Sequence, residues 1–355
     1  MKNTHIASQL STLLIIALLS SMMFQLAFQS VAAAETDNQF PETRFSVIWI
    51  TDTQYLTEDH PTYFDSMCRW IVNNAETYNV KMVVHTGDIV NSEGNQTQWV
   101  SANKSMSILL DDGIPYCWNA GNHDYNDTVW LGNQYTAFNP AVMEQKPYWL
   151  GDDSDGKSTA VHFTVGGQDF LIVNLAYSAS DEAITWTNNL LDSHPESHAI
   201  VAAHFYLNRT GGYEEWATNL KHAVLATHSN VFLTLSAHVY SSVFQGIQTQ
   251  VGDRHELVFN RQDKDSEMGA ACVRILAFDT EQGTIDVKTF YLYANMFLTD
   301  SNNQFTLHTN FRNDLASDEE IPELPAVLVV VFPLVLLGVA LVYSKPSLRH
   351  RKLSK

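Results

Sequence analysis

Cysteine is scarce in this chain of 355 residues, which contains only three. Three cysteines cannot build the disulfide framework of a small secreted domain, so no bridge is predicted. Cys68 falls in a predicted helix, whereas Cys117 and Cys272 fall in predicted strands and are expected to be buried. With so few thiols, a metal site in this chain is expected to use oxygen and imidazole ligands rather than the cysteines of a structural zinc site.

Positive charge is scarce as well, with 20 Lys and Arg against 39 Asp and Glu. When Lys2 and the five basic residues from Lys345 onward are left out, the segment from Glu35 to Ser344 contains 14 basic and 39 acidic residues. Its net charge is −25. Binding to nucleic acid relies on Lys and Arg contacts with phosphates, so no nucleic-acid partner is expected and polyanionic substrates are disfavoured. The same charge would also suit a salty habitat or cation binding at a surface layer.

Internal repeats, low-complexity segments and a second domain are also lacking, and about 265 residues are enough for one large core. The predicted organisation is a signal peptide at 1–34, a linker at 35–44, the folded domain at 45–310, an acidic stalk at 311–324, a membrane-spanning or sorting segment at 325–343 and a basic cytoplasmic tail at 344–355.

Apolar runs near both ends indicate where the protein works. Lys2 precedes the run from Leu10 to Phe28, and Ala32 to Ala34 offer a small-residue cleavage site, although an uncleaved anchor is the alternative. Ala326 to Tyr343 is an uncharged stretch of 18 residues, just long enough to span a bilayer. Basic residues follow it, which predicts a type I protein whose domain lies outside the cell. The alternative is a carboxyl-terminal sorting signal that is removed.

Four Asn-x-Ser/Thr sequons are compatible with glycosylation outside the cell, although such sequences also arise by chance. They begin at Asn95, Asn103, Asn126 and Asn208.

What the chain does have is a set of polar segments, each directly after an apolar, β-branched run. In open α/β sheets, side chains at the carboxyl ends of several strands build the active site. The sequence therefore predicts a metal-dependent hydrolase whose site is assembled from Asp52-Thr53-Gln54, Gly87-Asp88-Ile89-Val90-Asn91, Gly121-Asn122-His123-Asp124, His204 and Ala237-His238-Val239-Tyr240.

The alternation of strand and helix patterns predicts a parallel sheet followed by a mostly antiparallel portion. Strands are predicted at 45–50, 81–85, 115–119, 159–165, 169–175, 199–204 and 231–236, with more in 242–292, and helices at 61–78, 96–111, 181–192 and 213–227. The long loop from Asn126 to Asp155 is either a substrate-facing lid or a packed surface loop, and its aromatic residues favour packing.

The order of these polar segments resembles the calcineurin-like metallophosphoesterase superfamily, whose motifs read D-x-H, GD-x-x-N, GNH-D/E, H and GH-x-H. The resemblance runs from about Phe45 to about Leu307, and Gly121-Asn122-His123-Asp124 is its most specific block. It implies an α/β fold, an αββα sandwich of two mixed sheets flanked by helices.

The resemblance also implies a role for each matching residue. Asp88 would bridge two metal ions, of which Asn122, His204 and His238 would complete one site. Asp52, Gln54 and the residue at Tyr240 would belong to the other site. His123 would bind no metal and would act as the general acid. The expected cofactors are one or two divalent or trivalent ions, with Mn, Fe or Zn preferred, and the expected reaction is attack of a metal-bound hydroxide on a small phosphomono- or diester.

Two departures from the family pattern fall on the same metal site. The usual histidine of D-x-H is Gln54, and the last histidine of GH-x-H is Tyr240. A Gln carbonyl oxygen can bind a hard cation, whereas a Tyr ligand would suit a strongly Lewis-acidic ion. Tyr240 is therefore a metal ligand, a phosphate contact or neither, and the alternative function is a mononuclear or non-catalytic metal-binding surface domain.

Each residue taken alone has a simpler interpretation. Asp52 and Asp88 would then be turn or helix-cap residues, and His204 or His238 a core histidine with a hydrogen-bond partner. Only the joint pattern favours ligands. His85 is predicted to pack in the core near the site.

Overall fold

The computed structural model describes residues 41–126, 129–239, 247–262 and 271–311. The predicted signal peptide, membrane segment and basic tail lie outside these residues, and so does Tyr240. None of the helices in the described part of the chain is long and apolar enough to cross a membrane.

Fourteen strands lie within these described ranges. They are β1 (Arg44–Ile50), β2 (Val80–His85), β3 (Tyr116–Trp118), β4 (Trp149–Asp152), β5 (Thr159–Val165), β6 (Gln168–Leu175), β7 (His198–Ala203), β8 (Val231–Ser236), β9 (Ile247–Val251), β10 (Arg254–Val258), β11 (Cys272–Asp279), β12 (Thr284–Tyr291), β13 (Met296–Leu298) and β14 (Gln304–His308).

These strands form two mixed sheets. The first has the order β13-β12-β11-β1-β2-β3, with β14 also paired to β12, and the second has the order β4-β5-β6-β7-β8-β10-β9. Strands β1, β2 and β3 are parallel to one another, as are β6, β7, β8 and β10, whereas the remaining pairs are antiparallel. The predicted fold class, two mixed sheets flanked by helices, is confirmed.

Six α-helices accompany the sheets in the described residues: α1 (Gln54–Asp59), α2 (Pro61–Asn74), α3 (Gln96–Asp111), α4 (Pro140–Met143), α5 (Asp181–Ser193) and α6 (Glu215–Leu220). Helix α3 has the predicted bounds and is capped by Asn95, whose side chain accepts hydrogen bonds from the backbone N–H groups of Thr97 and Gln98. The helix predicted to end at residue 78 stops at Asn74, and α1 was not predicted.

The alternation of side chains along β1 shows why two sheets pack together. Phe45, Val47 and Trp49 contribute to one buried apolar cluster, shared with strands of the second sheet, whereas Ile48 and Ile50 contribute to another that includes residues of α2 and α3. A third cluster lies between the second sheet and α5 and α6. Three apolar layers separate four layers of secondary structure, which is the αββα arrangement.

The described part of the 126–155 loop packs against the core. Trp130 contacts the buried Trp99 with ring centroids 5.3 Å apart, and Phe138 and Trp149 contact Trp118 at 5.8 and 5.3 Å. These contacts support the packed-loop interpretation. The three cysteines are buried and free, and burial had been predicted for Cys117 and Cys272.

Candidate metal centre

The predicted ligands come from the carboxyl ends of strands in both sheets. Asp52 follows β1 and Asp88 follows β2 in the first sheet, while His204 and His238 follow β7 and β8 in the second. Backbone hydrogen bonds join neighbouring ends, from Asp52 N to Gly87 O at 2.9 Å and from Ala237 N to His204 O at 2.9 Å. The centre therefore lies where corresponding edges of the two sheets meet.

Three of these residues adopt left-handed backbone conformations that are uncommon outside glycine. The φ angle is 51° at Asp52, 51° at Asp88 and 65° at His238. Such conformations cost energy and persist where the surrounding structure determines them, often at functional sites. Each one turns the chain sharply after its strand and directs a polar side chain towards the centre.

Two glycines allow the loops to approach one another. A Cβ atom at Gly87 would lie 2.7 Å from His204 Nδ1, and one at Gly121 would lie 2.2 Å from Asp88 Oδ1. Any larger residue would push these loops apart. The glycines of the GD and GNH segments are thus explained by close packing around Asp88.

His204 lies at the middle of the predicted ligand set. Its Nε2 atom is 3.1 Å from Asn122 Oδ1, 3.2 Å from His238 Nδ1 and 3.4 Å from Asp88 Oδ1. Its other ring nitrogen, Nδ1, donates a hydrogen bond of 2.7 Å to the Thr86 carbonyl oxygen. A carbonyl can only accept, so neutral His204 carries its proton on Nδ1 and directs the Nε2 lone pair towards the other ligands.

The charge state of the histidines reflects the same arrangement. Burial disfavours a charged His204 ring, but the Asp88 carboxylate and then Asp52 outweigh burial and raise the pKa of His204 to about 9. Burial, followed by the charge of His204, lowers the pKa of His238 to about 4. Ligand atoms of Asp88, His204 and His238 lie within 4.8 Å of one another. A cation placed among them would take over the role of the extra proton.

Asp88 faces both halves of the centre. Its Oδ1 atom lies towards His204 and also accepts a hydrogen bond of 3.0 Å from the backbone N–H of His123. Its Oδ2 atom accepts a hydrogen bond of 3.2 Å from Gln54 Nε2. Burial opposes its ionisation, but His204 and the N–H of His123 hold the pKa of Asp88 below its usual value. This placement suits a bridging carboxylate.

Asp52 and Gln54 provide the other half of the centre. Asp52 Oδ2 accepts hydrogen bonds from the Thr51 hydroxyl at 2.6 Å and from the His238 N–H at 3.4 Å. Asp52 Oδ1 and Gln54 Oε1 are buried oxygen atoms that have no hydrogen-bond partner. Burial, with a contribution from Asp88, raises the pKa of Asp52 to about 7. Buried oxygens without partners are costly, and a hard cation bound by them would remove that cost.

His123 lies beside Asp88 but outside the group of converging atoms. Its Nδ1 atom lies 3.0 Å from the Asn91 carbonyl oxygen and donates to it. The half-buried ring therefore keeps Nε2 for another partner. Its role as a general acid rather than a metal ligand stays a prediction.

Residues that support the ligand loops were not given roles by sequence reasoning. Asp124 is fully buried, and its two oxygens accept hydrogen bonds from the N–H groups of Val90 at 2.9 Å and Gly121 at 2.7 Å. It thereby joins the loop of Asp88 to the loop of Asn122. Its position directly after Gly121-Asn122-His123 is the sequence feature that could have indicated this role.

The His85 side chain forms hydrogen bonds with both the loop of Asp52 and the loop of Asp88. Its Nδ1 atom accepts a hydrogen bond of 3.2 Å from Gly87 N, and its Nε2 atom lies 3.0 Å from the Thr53 hydroxyl. Burial, followed by the charge of His204, lowers the pKa of His85 to about 3, so the ring is neutral. It packs in the core, as predicted.

Two aromatic residues also border the centre. Tyr177 and Phe205 both pack against the His238 ring, with centroids 5.6 and 4.4 Å away. Neither residue belongs to a motif. The sequence feature that could have placed Phe205 near the centre is its position directly after His204.

A four-layer α/β sandwich with carboxylate, amide and imidazole groups at the meeting edges of its sheets defines a class, that of α/β proteins with a candidate metal site at the carboxyl ends of their strands. Residues 45–241 match the family model for calcineurin-like phosphoesterases. The chain belongs to this family, as the sequence motifs predicted.

Known proteins are similar over most of the chain. The uncharacterized protein YvnB of Bacillus subtilis (strain 168) is 30% identical over 271 residues, which cover 72% of this chain and 21% of that protein. This chain therefore spans about a fifth of the length of that relative. A dimetal phosphatase from Danio rerio has a similar structure, with a TM-score of 0.51, 12% identity and coverage of 75% of this chain and 99% of that one.

Proposed function

We propose that this protein is a metal-dependent phosphoesterase that hydrolyses small phosphomono- or diesters. The observation that carries this proposal is the convergence of Asn122, His238 and Asp88 on Nε2 of His204, within 3.1 to 3.4 Å. Because Nδ1 of His204 donates its proton to the Thr86 carbonyl, Nε2 is the nitrogen that faces the other three groups and that a metal ion would bind. Such an arrangement favours a bound cation.

In this proposal, one set of residues binds the metal ions and another residue transfers a proton. Asn122, His204 and His238 would hold one ion, Asp52 and Gln54 another, and Asp88 would contact both. When bound, the ions would neutralise the charge of the phosphate and lower the pKa of a water molecule. His123, oriented by the Asn91 carbonyl, would carry a proton on Nε2 to the leaving oxygen.

The charge of the domain favours a small substrate over a polymeric one. A net charge of −25 between Glu35 and Ser344 repels nucleic acid and other polyanions. A compact ester carries less charge and is repelled less, so small phosphoesters are the substrates to test first.

Substitution of Asp88 tests the proposal. We expect Asp88→Asn to lose metal and to lower kcat/KM for p-nitrophenyl phosphate or bis(p-nitrophenyl) phosphate at least about 10³-fold, because one residue serves both ions. Asp286→Asn is the matched control, since Asp286 is an exposed carboxylate on β12 that accepts a hydrogen bond from the Thr306 hydroxyl. Full activity of Asp88→Asn, with the fold intact by circular dichroism, would refute the proposal.

A mononuclear form of the same enzyme is the second candidate. It is favoured by the hydrogen bond from Gln54 Nε2 to Asp88 Oδ2, which occupies the carboxylate oxygen that a second ion would need. Elemental analysis of the purified protein, offered Mn, Fe and Zn together, separates the candidates. Two ions per chain support the dinuclear enzyme, and one ion supports the mononuclear one.

The location outside the cell is part of the proposal and is supported by the sequence alone. The apolar run from Leu10 to Phe28, the uncharged stretch from Ala326 to Tyr343 and the basic residues after it favour a type I protein anchored by its carboxyl-terminal segment. Protease added to intact cells should then remove the domain and leave a tail fragment in the membrane. Complete protection of the domain would contradict this location.

A further inference from the structure

A pocket of about 540 Å³ opens directly beside the candidate metal centre. One side is His238 with the adjoining Val239, and the other is the segment after β7, which contributes Phe205 and Asn208. A substrate whose phosphate bound at the metal centre would therefore have this pocket next to its phosphorus atom.

The apolar wall of the pocket is an oriented aromatic ring. Phe205 is half-buried, and its ring centroid lies 4.4 Å from that of His238. The Tyr177 ring lies parallel to the Phe205 ring, with an angle of 5° and centroids 6.1 Å apart. Contacts with two neighbouring rings fix the plane of Phe205, which makes it a preorganised surface for stacking.

The remaining wall is a turn held by several internal bonds. Leu207 and Tyr213 form an isolated β-bridge, and Asn208 Oδ1 accepts hydrogen bonds from Thr210 N, Thr210 Oγ1 and Gly212 N. The buried Glu256 accepts hydrogen bonds from the Tyr213 hydroxyl at 2.8 Å and from the Tyr206 hydroxyl at 3.0 Å. The pocket is thus a built feature of the fold.

The charged side chains around the pocket indicate which kind of chemical group it binds. Arg209 and Glu214 both line it, so one positive and one negative side chain offset each other. A second phosphate or another anionic group would gain no net attraction there. An uncharged group that covers the Phe205 ring would gain apolar burial and stacking.

We infer that this pocket binds the organic part of the substrate and selects a flat, uncharged aromatic group that stacks on Phe205. The inference rests on the proposed phosphoesterase function, since that function places the phosphate beside the pocket. Phe205 is then a residue that determines specificity, and aryl or nucleobase-bearing esters are preferred over simple alkyl esters.

Binding of phosphonates tests this inference without turnover, because a carbon–phosphorus bond is not a phosphoester bond. Isothermal titration of the full chain loaded with Mn²⁺ should show phenylphosphonate binding about tenfold more tightly than methylphosphonate. Phe205→Ala should reduce that ratio to about one, with methylphosphonate as the internal reference for binding at the metal centre. Phe205→Tyr should retain the preference.

Tyr293→Ala is the matched control, since Tyr293 is an aromatic residue that is 53% exposed and does not line the pocket. Equal affinity of the wild-type protein for the two phosphonates would overturn the inference, and so would a preference that survives in Phe205→Ala. Hydrolysis of phosphoesters without a phenyl preference would leave the proposed function standing. A phenyl preference without hydrolysis of any ester would leave the pocket standing and refute the function.

Discussion

Three candidate ligand groups converge on Nε2 of His204, and this arrangement is the central feature of the protein at the scale of single residues. The hydrogen bond from Nδ1 to Thr86 fixes which nitrogen faces the other ligands, so the tautomer depends on the backbone and not on the metal. Sequence reasoning selected these candidate ligand residues from the order of the motifs. The tautomer and the shared contacts depend on tertiary packing and were beyond its reach.

His123 should affect turnover without affecting metal binding. We expect His123→Gln to lower kcat by about 10²–10⁴-fold, because a general acid is lost while the ligand set stays complete. Metal content, measured by elemental analysis, should stay at the wild-type value. A loss of metal in this variant would instead place His123 among the ligands. His222→Gln is a suitable control, since His222 is exposed and belongs to none of the motifs.

Asp124 should affect stability and metal binding together. Both of its carboxylate oxygens accept backbone hydrogen bonds, so Asp124→Asn would turn an amide N–H₂ towards the N–H of Val90 or Gly121. Leaving such a donor unsatisfied costs about 1–3 kcal/mol. Urea denaturation should show that loss, and metal affinity should fall as the two loops separate. Asp112→Asn, an exposed change at the end of α3, should leave both quantities near their wild-type values.

At the scale of elements, the central strands and the longer helices follow the sequence pattern, whereas the segments near the site do not. Pro61 explains why the unpredicted α1 is separate from α2, because a proline disfavours the helical conformation of the preceding residue, here His60. The same helix ends early because Asn79 adopts φ 47° and Val80 N bonds back to Ala75 O. The helix predicted from 213 begins later, since the bridge with Leu207 holds Tyr213 outside it.

Gly87, in the turn after β2, is required both for its backbone conformation and for the lack of space around it. Alanine variants of Gly87 and Gly113 separate these two effects. Gly87 has φ +86° and leaves no room for a Cβ, whereas Gly113 has φ +72° and open space around it. Gly113→Ala should cost about 1–2 kcal/mol from backbone conformation alone. Gly87→Ala should cost clearly more and should lose metal, because crowding pushes the His204 loop away. Equal losses of stability in urea denaturation would show that crowding plays no part.

At the scale of the whole molecule, two sheets contribute ligands to one centre, so metal binding should stabilise the packing of one sheet on the other. The family and the fold could be predicted from motif order, and the αββα arrangement is confirmed. The sequence also predicted which residues meet, but not that Gln54 donates to Asp88 or that Asp52 keeps a buried oxygen without a partner. Both features arise from the exact spacing of the strand ends, which no local pattern encodes.

Metal removal should therefore lower the thermal stability of the entire domain. A ligand present at about 100 times its Kd adds about 2.7 kcal/mol, which corresponds to roughly 5–10 °C in Tm for a domain of this size. We expect calorimetry to show a drop of that size when a chelator is added to the metal-loaded protein. His238→Ala should abolish the difference between loaded and chelated protein, because it removes one of the converging ligands. His308→Ala, an exposed histidine on β14, should keep the full difference. If the chelator changed Tm equally in both variants, the stabilising ion would bind elsewhere, and the centre between the sheets would not be the metal site.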